Sequence, residues 1–230
     1  MTSTPGIALA LRDVTLSRGG RTLVSDLTLE ARPGDLIALR GPSGCGKTTI
    51  LRAIAGLDPF ARGTIEVGVA SLRGGQAPDR AMVHRLSRSV GLVFQFHHLF
   101  EHMSALQNVC LAPVHVHAAR HDAAEQTSRD LLRQLGVESR AHARPRELSG
   151  GEAQRVAIAR ALAVNPPVLL MDEPMASLDA ARRAELGALL RKLAAEGRTL
   201  LVTTHDERFA EEFATRIVTM DGGVARESKI

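Results

Sequence analysis

The stretch LIALRGPSGCGKTT, residues 36–49, decides the fold. LIALR reads as a short buried strand, and it runs into a glycine-rich turn that opens a helix. The pattern G-x-x-x-x-G-K-[ST] is met by Gly41, Gly46, Lys47 and Thr48 in the strand–loop–helix context that its chemistry needs. The loop of Gly41, Pro42, Ser43, Gly44, Cys45 and Gly46 surrounds phosphates with backbone N–H groups. Lys47 neutralises the β and γ oxygens, Thr48 offers its hydroxyl to Mg²⁺, and Thr49 completes the cradle. A nucleoside triphosphate is the expected ligand.

Outward from this loop the pattern is regular. Ile50, Leu51, Ile54 and Leu57 recur at helical spacing and stop at Gly56 and Pro59. Upstream, Ile7, Leu9 and Leu11, then Leu27 and Leu29, alternate as strands before the turn RPGD. GTIEVGV (63–69) and SVGLVFQ (89–95) read as further strands, the second ending on Gln95. From Phe96 the chain turns helical and polar, with AAEQTSRDLLRQLGV its clearest amphipathic segment and Gly136 as its stop; this reads as an inserted helical subdomain. A further helix opens at Gly151 and ends before Pro166 and Pro167. VLLMDEP (168–174) and TLLVTTH (199–205) are apolar strands flanking the helix AARRAELGALLRKLAAEG, and RIVTM, DGG and VARE form a terminal hairpin. Apolar strands alternating with helices imply an α/β fold with a parallel sheet covered on both faces.

Composition narrows the function. A chain of 230 residues, 44% hydrophobic and 23% charged, is globular. The net charge of +4 comes from arginine, since lysine occurs only at Lys47, Lys192 and Lys229, and no run of five like charges appears. Aromatic content of 3%, without Trp or Tyr, argues against base stacking, so no nucleic-acid partner is expected. Cys45 and Cys110 make no disulfide framework, which favours a reducing compartment. The start MTSTPGIALALRD lacks a basic segment before a long apolar core, and no apolar stretch approaches the ~18 residues of a membrane span. A soluble, cytosolic protein is expected, unless a partner holds it elsewhere.

Asp172 follows four apolar residues and belongs at the carboxyl edge of the sheet, where it can hold Mg²⁺ through water. Glu173 is a candidate base for an attacking water. Gln95 and His205 also end apolar strands, and a parallel sheet brings them to the same edge. A second phosphate-type turn, LSGGE (148–152), remains unexplained by a single nucleotide. A soluble P-loop kinase or GTPase leaves it without a role, and no guanine-reading NKxD stretch occurs.

GPSGCGKTT, Gln95, LSGGE, LLMDEP, SLD (177–179) and His205 together resemble the ATP-binding cassette (ABC) ATPases, in order and spacing, over essentially the whole chain. The resemblance implies a P-loop NTPase (RecA-like) core with an N-terminal antiparallel β subdomain, residues 1–95 and 153–230, and a helical signature subdomain, 96–152. It implies two copies packed head to tail, with Ser149, Gly150 and Gly151 of one completing the ATP site of the other. Gln95 then senses Mg²⁺ and water, Glu173 is the catalytic base, His205 contacts the γ-phosphate, and Asp179 links the two sites. Membrane permease subunits, a solute-binding protein and a peripheral place on the cytoplasmic face of the inner membrane are implied as well. GLVFQFHHLFEHMSALQNVCLAP and VTTHDERFAEEFATRIVTMDGG look most like polar amino-acid importers; exporters, lipoprotein-release cassettes and non-transport cassettes are the alternatives. Family members commonly stack adenine on an aromatic residue, whereas TLSRGGRTL offers Arg18, whose guanidinium can stack instead. Met175 stands where Thr is common, and Ala153 where a polar residue is frequent. His97, His98, His102, His115, His117 and His121 crowd one region without a convincing metal-ligand spacing, as a solvated or permease-facing surface would.

Overall fold

The computed structural model describes residues 8–116, 119–176 and 178–229, so the expectations for Ile7, His117 and Ser177 lie outside the described residues. In chain order the elements are β1 (Leu9–Arg18), β2 (Arg21–Ala31), β3 (Leu36–Arg40), α1 (Lys47–Ile54), β4 (Arg62–Val67), β5 (Ala70–Arg73), α2 (Arg80–Ser89) and β6 (Val90–Val93). They continue with α3 (Ala105–His115), α4 (His121–Gln134), α5 (Gly150–Leu162), β7 (Val168–Asp172), α6 (Ala180–Ala195), β8 (Thr199–Thr203), α7 (Glu207–Phe213), β9 (Arg216–Asp221) and β10 (Val224–Lys229). Two sheets result, an antiparallel one in the order β2-β1-β4-β5 and a larger one in the order β10-β9-β3-β8-β7-β6. In the larger sheet β9, β3, β8, β7 and β6 are parallel and only β10 is antiparallel.

The central strands are apolar throughout because each feeds two cores. Side chains alternate across a strand, and Ile37, Leu39, Leu170 and Leu201 point into the core shared with α1 and the antiparallel sheet. Their neighbours Leu36, Leu169, Met171, Leu200 and Val202 point into the core built with α3, α4, α5 and α6. This double burial leaves the polar ends of the strands at one edge.

Several local expectations need correction. Leu57 is not on the helix after the glycine loop: α1 ends at Ile54, Gly56 turns left-handed at φ 70°, and Leu57 is exposed. α5 begins at Gly150 rather than Gly151, because Ser149 caps it through its hydroxyl. β6 stops at Val93, two residues short of Gln95, which lies in an exposed turn. β5 and α2 were not anticipated. α2 carries Met82, Val83 and Leu86 at helical spacing but is otherwise polar and buries only Leu86, so its apolar signal is weak.

Candidate functional site

The carboxyl ends of β3, β8 and β7 lie side by side. β3 runs into the glycine loop, and α1 begins at Lys47 with Gly46 as its N-cap and no side-chain cap, leaving backbone N–H groups and the positive helix end free for an anion. Gly41 is required sterically: a Cβ there would meet the Met220 carbonyl oxygen at 2.4 Å and the Cys45 sulfur at 2.9 Å. The buried Lys47 ammonium is held over the loop by donating to the carbonyls of Gly41 (2.7 Å) and Pro42 (3.1 Å).

Asp172, at the end of β7, is buried with both carboxylate oxygens engaged. Thr48 donates its hydroxyl to Oδ2 (2.8 Å) and Thr203 donates its own to Oδ1 (2.6 Å). The hydroxyl oxygen of Thr203 also accepts the Glu173 backbone N–H (2.9 Å), and its carbonyl lies 3.2 Å from the same nitrogen. Glu173 is thereby held in the left-handed region at φ 48°, a conformation a non-glycine residue keeps only when its surroundings fix it. Its Oε2 stands 2.8 Å from Nδ1 of His205, whose ring is largely exposed. The hydroxyl of Thr48 beside the Asp172 carboxylate is the oxygen pair that a hard divalent cation takes, so these residues fit Mg²⁺. Thr203 escaped the sequence reading because a threonine in an apolar run reads as a strand former; its only signal was the polar end of TLLVTTH.

The LSGGE turn lies elsewhere. Ser149 caps α5 by accepting the Glu152 N–H (3.3 Å), and Glu152 returns the bond to the Ser149 N–H (2.7 Å). That backbone donor is the main reason the Glu152 carboxyl sits below its ordinary range, with Arg140 adding a charge at 3.4 Å. Gly151 leaves room for a neighbour: a Cβ there would come within 3.0 Å of the Arg182 guanidinium and 3.1 Å of Leu178. Asp179 caps α6 by accepting the Arg182 N–H (2.9 Å) and faces the Arg182 side chain at 3.4 Å. Among the described residues no hydrogen bond or ion pair joins 41–49 to 148–152. The structure thus brings together Lys47, Thr48, Asp172, Glu173 and His205, but leaves Ser149, Gly150, Gly151 and Asp179 apart from them.

Gln95 begins the turn that leads to His97 and His98, both left-handed at φ 52° and 46°. Arg160 of α5 donates to the carbonyls of His97 (2.8 Å) and His98 (2.7 Å). Burial pushes the His97 imidazole below its ordinary pKa. Phe96 beside them is 76% exposed, and among the described residues no group of three or more His, Cys, Asp or Glu side chains converges on a metal position. Arg18 ends β1 at an exposed hairpin; hydrogen bonds from Arg52 hold the Asp58 carboxyl below its ordinary range, and the Arg18 charge adds to this. No helix of the described residues is long and apolar enough to cross a membrane.

Comparison with known proteins is concordant. The family model described as ABC transporter matches residues 24–176. The L-cystine transport system ATP-binding protein TcyN of Escherichia coli (strain K12) is 38% identical over 218 residues, covering 94% of this chain and 87% of that protein. The glutamine transport ATP-binding protein GlnQ of Bacillus subtilis (strain 168) is 38% identical over 223 residues, covering 96% and 90%. Among solved structures, a dimeric ATP-binding cassette in a post-hydrolysis state bound to ADP and Pi superimposes with a TM-score of 0.87 at 32% identity, covering 96% of this chain and 98% of that one.

Proposed function

The chain belongs to the ABC transporter family as an ATP-hydrolysing subunit, and we propose that it powers import of a polar amino acid through a separate membrane permease. The solute class rests on relatives whose names specify cystine, glutamine and arginine transport. Permease subunits and a solute-binding protein complete the system, with the cassette peripheral on the cytoplasmic face of the membrane. Residues 1–95 and 153–230 form its nucleotide-binding core and 96–152 its helical signature subdomain.

One observation carries the reading: two phosphate-type turns, 41–49 and 149–151, stand on different elements of one chain with no bond between them. A dimer is the state recorded for a similar cassette, and packing the two copies head to tail gives each turn a partner. Gly41 to Thr49 then hold the phosphates of one ATP, and Ser149, Gly150 and Gly151 of the second copy close over its γ-phosphate. Arg18 stacks on the adenine. Thr48, Asp172 and Gln95 hold Mg²⁺, which supplies charge neutralisation at the phosphates when bound. Lys47 turns its ammonium from the loop carbonyls to the β and γ oxygens. Glu173 accepts the proton of the water whose oxygen attacks the γ-phosphorus, so that ADP leaves with the bond to the bridging oxygen broken and phosphate is released. His205 orients Glu173 through their 2.8 Å contact and reaches the γ-phosphate with its other nitrogen. Asp179 carries the state of one site to the other. ATP acts first as glue between cassettes; hydrolysis parts them, and the segment after Gln95, with Phe96 exposed, transmits the motion to the permease.

The test is light scattering of Glu173→Gln with ATP, with Ser149→Arg in the same background as control. Glu173→Gln slows hydrolysis and is expected to accumulate a dimer that the Ser149 change abolishes. Normal hydrolysis by a monomeric Ser149→Arg chain would overturn the trans site.

A further inference from the structure

Arg183, on the first turn of α6, bridges two turns that the reaction uses separately. Its Nε donates to the Leu178 carbonyl (2.9 Å), immediately before Asp179, and its Nη1 donates to Oδ2 of Asp206 (3.2 Å), immediately after His205. Both ends of this bridge are anchored. Asp179 caps α6 through the Arg182 N–H (2.9 Å). Asp206 caps α7 by accepting the Phe209 N–H on Oδ1 (3.0 Å), and its own N–H donates to the Thr204 hydroxyl (3.0 Å). His205 lies between Thr204 and Asp206 with a side chain 73% exposed, so little besides its backbone turn and its contact with Glu173 fixes where the ring stands.

We infer that Arg183 is a positioning residue for hydrolysis, which sets the His205 turn in register with the Asp179 turn. The inference rests on the reading of His205 as the γ-phosphate contact and of Asp179 as the link to the partner cassette. A guanidinium suits this task where an ammonium does not, because its planar fork donates along two fixed directions at once. A displacement of the Asp179 turn is then passed to the His205 turn through one rigid group, and the imidazole moves relative to Glu173. The ion pair contributes little to folding, since the Arg183 side chain is 44% exposed and solvent screens such pairs. Loss of Arg183 therefore acts on the chemical step rather than on the fold.

The experiment is steady-state ATP hydrolysis by the full chain carrying Arg183→Gln, Arg183→Lys, His205→Ala and the double variant Arg183→Gln/His205→Ala, with thermal melts of each. Arg183→Gln is expected to lower kcat about fivefold with KM within about twofold. Arg183→Lys, which can satisfy only one of the two acceptors, is expected to fall between wild type and Arg183→Gln. In the His205→Ala background the Arg183 change is expected to add less than about twofold, because a residue acting through His205 has nothing left to position. An Arg183→Gln effect that multiplies fully with His205→Ala, or that appears only as a lowered Tm, overturns the inference while leaving the role of His205 intact. A His205→Ala chain with undiminished kcat instead removes the underlying reading and this inference with it.

Discussion

Thr203 is the residue on which the geometry of the site turns. A single buried hydroxyl donates to Asp172 and accepts from the Glu173 N–H, so the proposed cation ligand and the candidate base share one anchor. Thr203→Val keeps the β-branched shape and strand preference but removes that anchor, leaving Asp172 one hydrogen bond short in a buried setting. Losing a hydrogen bond to a buried charged group costs about 1–3 kcal/mol. If half of this falls on the transition state, kcat declines about twofold to thirteenfold. Thr203→Ser, which retains the hydroxyl, is expected to recover most of the rate; steady-state hydrolysis of the two variants checks both. At this scale the sequence was most legible where chemistry demands fixed spacing, as in Gly41 to Thr49, and where a polar residue ends an apolar run, as at Asp172. Thr203 was opaque because its neighbours in space, Asp172 and Glu173, lie some thirty positions away.

Among the elements, α5 does two tasks, and its sequence announced only one. Its N-terminus carries Ser149 and the glycines; one helical face further along, Arg160 spans to the carbonyls of His97 and His98 and lies 6.0 Å from the centre of the Phe100 ring. The turn after Gln95 is thus tied to the helix that begins at the signature. Two successive left-handed non-glycine residues are costly, about 1–3 kcal/mol each, and persist only when something outside the turn holds them. Arg160→Gln is expected to destabilise the chain by about 2 kcal/mol, since charge-assisted hydrogen bonds contribute about 1.5–3. Hydrogen exchange should locate the loosening at residues 96–100, and unchanged exchange there with an intact melt would count against this tie. The histidine-rich stretch read as surface from sequence, and for His98 it is, whereas half-buried His97 packs under the loop. α4 was readable because burial of one face imposes a helical period on it, and β7 and β8 because burial on both faces makes each a continuous apolar run. α2 and β5 were not, since α2 is mostly polar with only Leu86 buried and β5 is four residues long, too short for its alternation to stand out.

The glycine loop is a product of the whole molecule, because it is wedged between its two sheets. A Cβ at Gly41 would strike the Met220 carbonyl of β9, and one at Gly46 would come within 2.9 Å of Val24 of β2. Relative placement of the sheets therefore sets the space open to phosphate. Arg216 pins that placement. Its guanidinium donates to the Glu30 carbonyl of β2 (2.6 Å), to Asp35 ahead of β3 (2.8 Å) and to Glu227 of β10 (2.6 Å), with only 19% of the side chain exposed. These carboxylates raise the Arg216 pKa further, Glu227 most, so the charge is present at any working pH. Partial exposure discounts the ion pairs, and the loss on Arg216→Gln is expected at about 1–2 kcal/mol rather than the 3–5 of a fully buried pair. In a chain of this size that lowers Tm by roughly 2–8 °C. Ligand binding to the folded state adds stability in proportion to affinity, so a loosened seam should also shrink the Tm rise that ATP produces. If Arg216→Gln lowers the apo Tm but leaves the ATP-induced rise unchanged, the seam stabilises the fold without shaping the loop; a smaller rise means that nucleotide affinity is set by how the two sheets are joined.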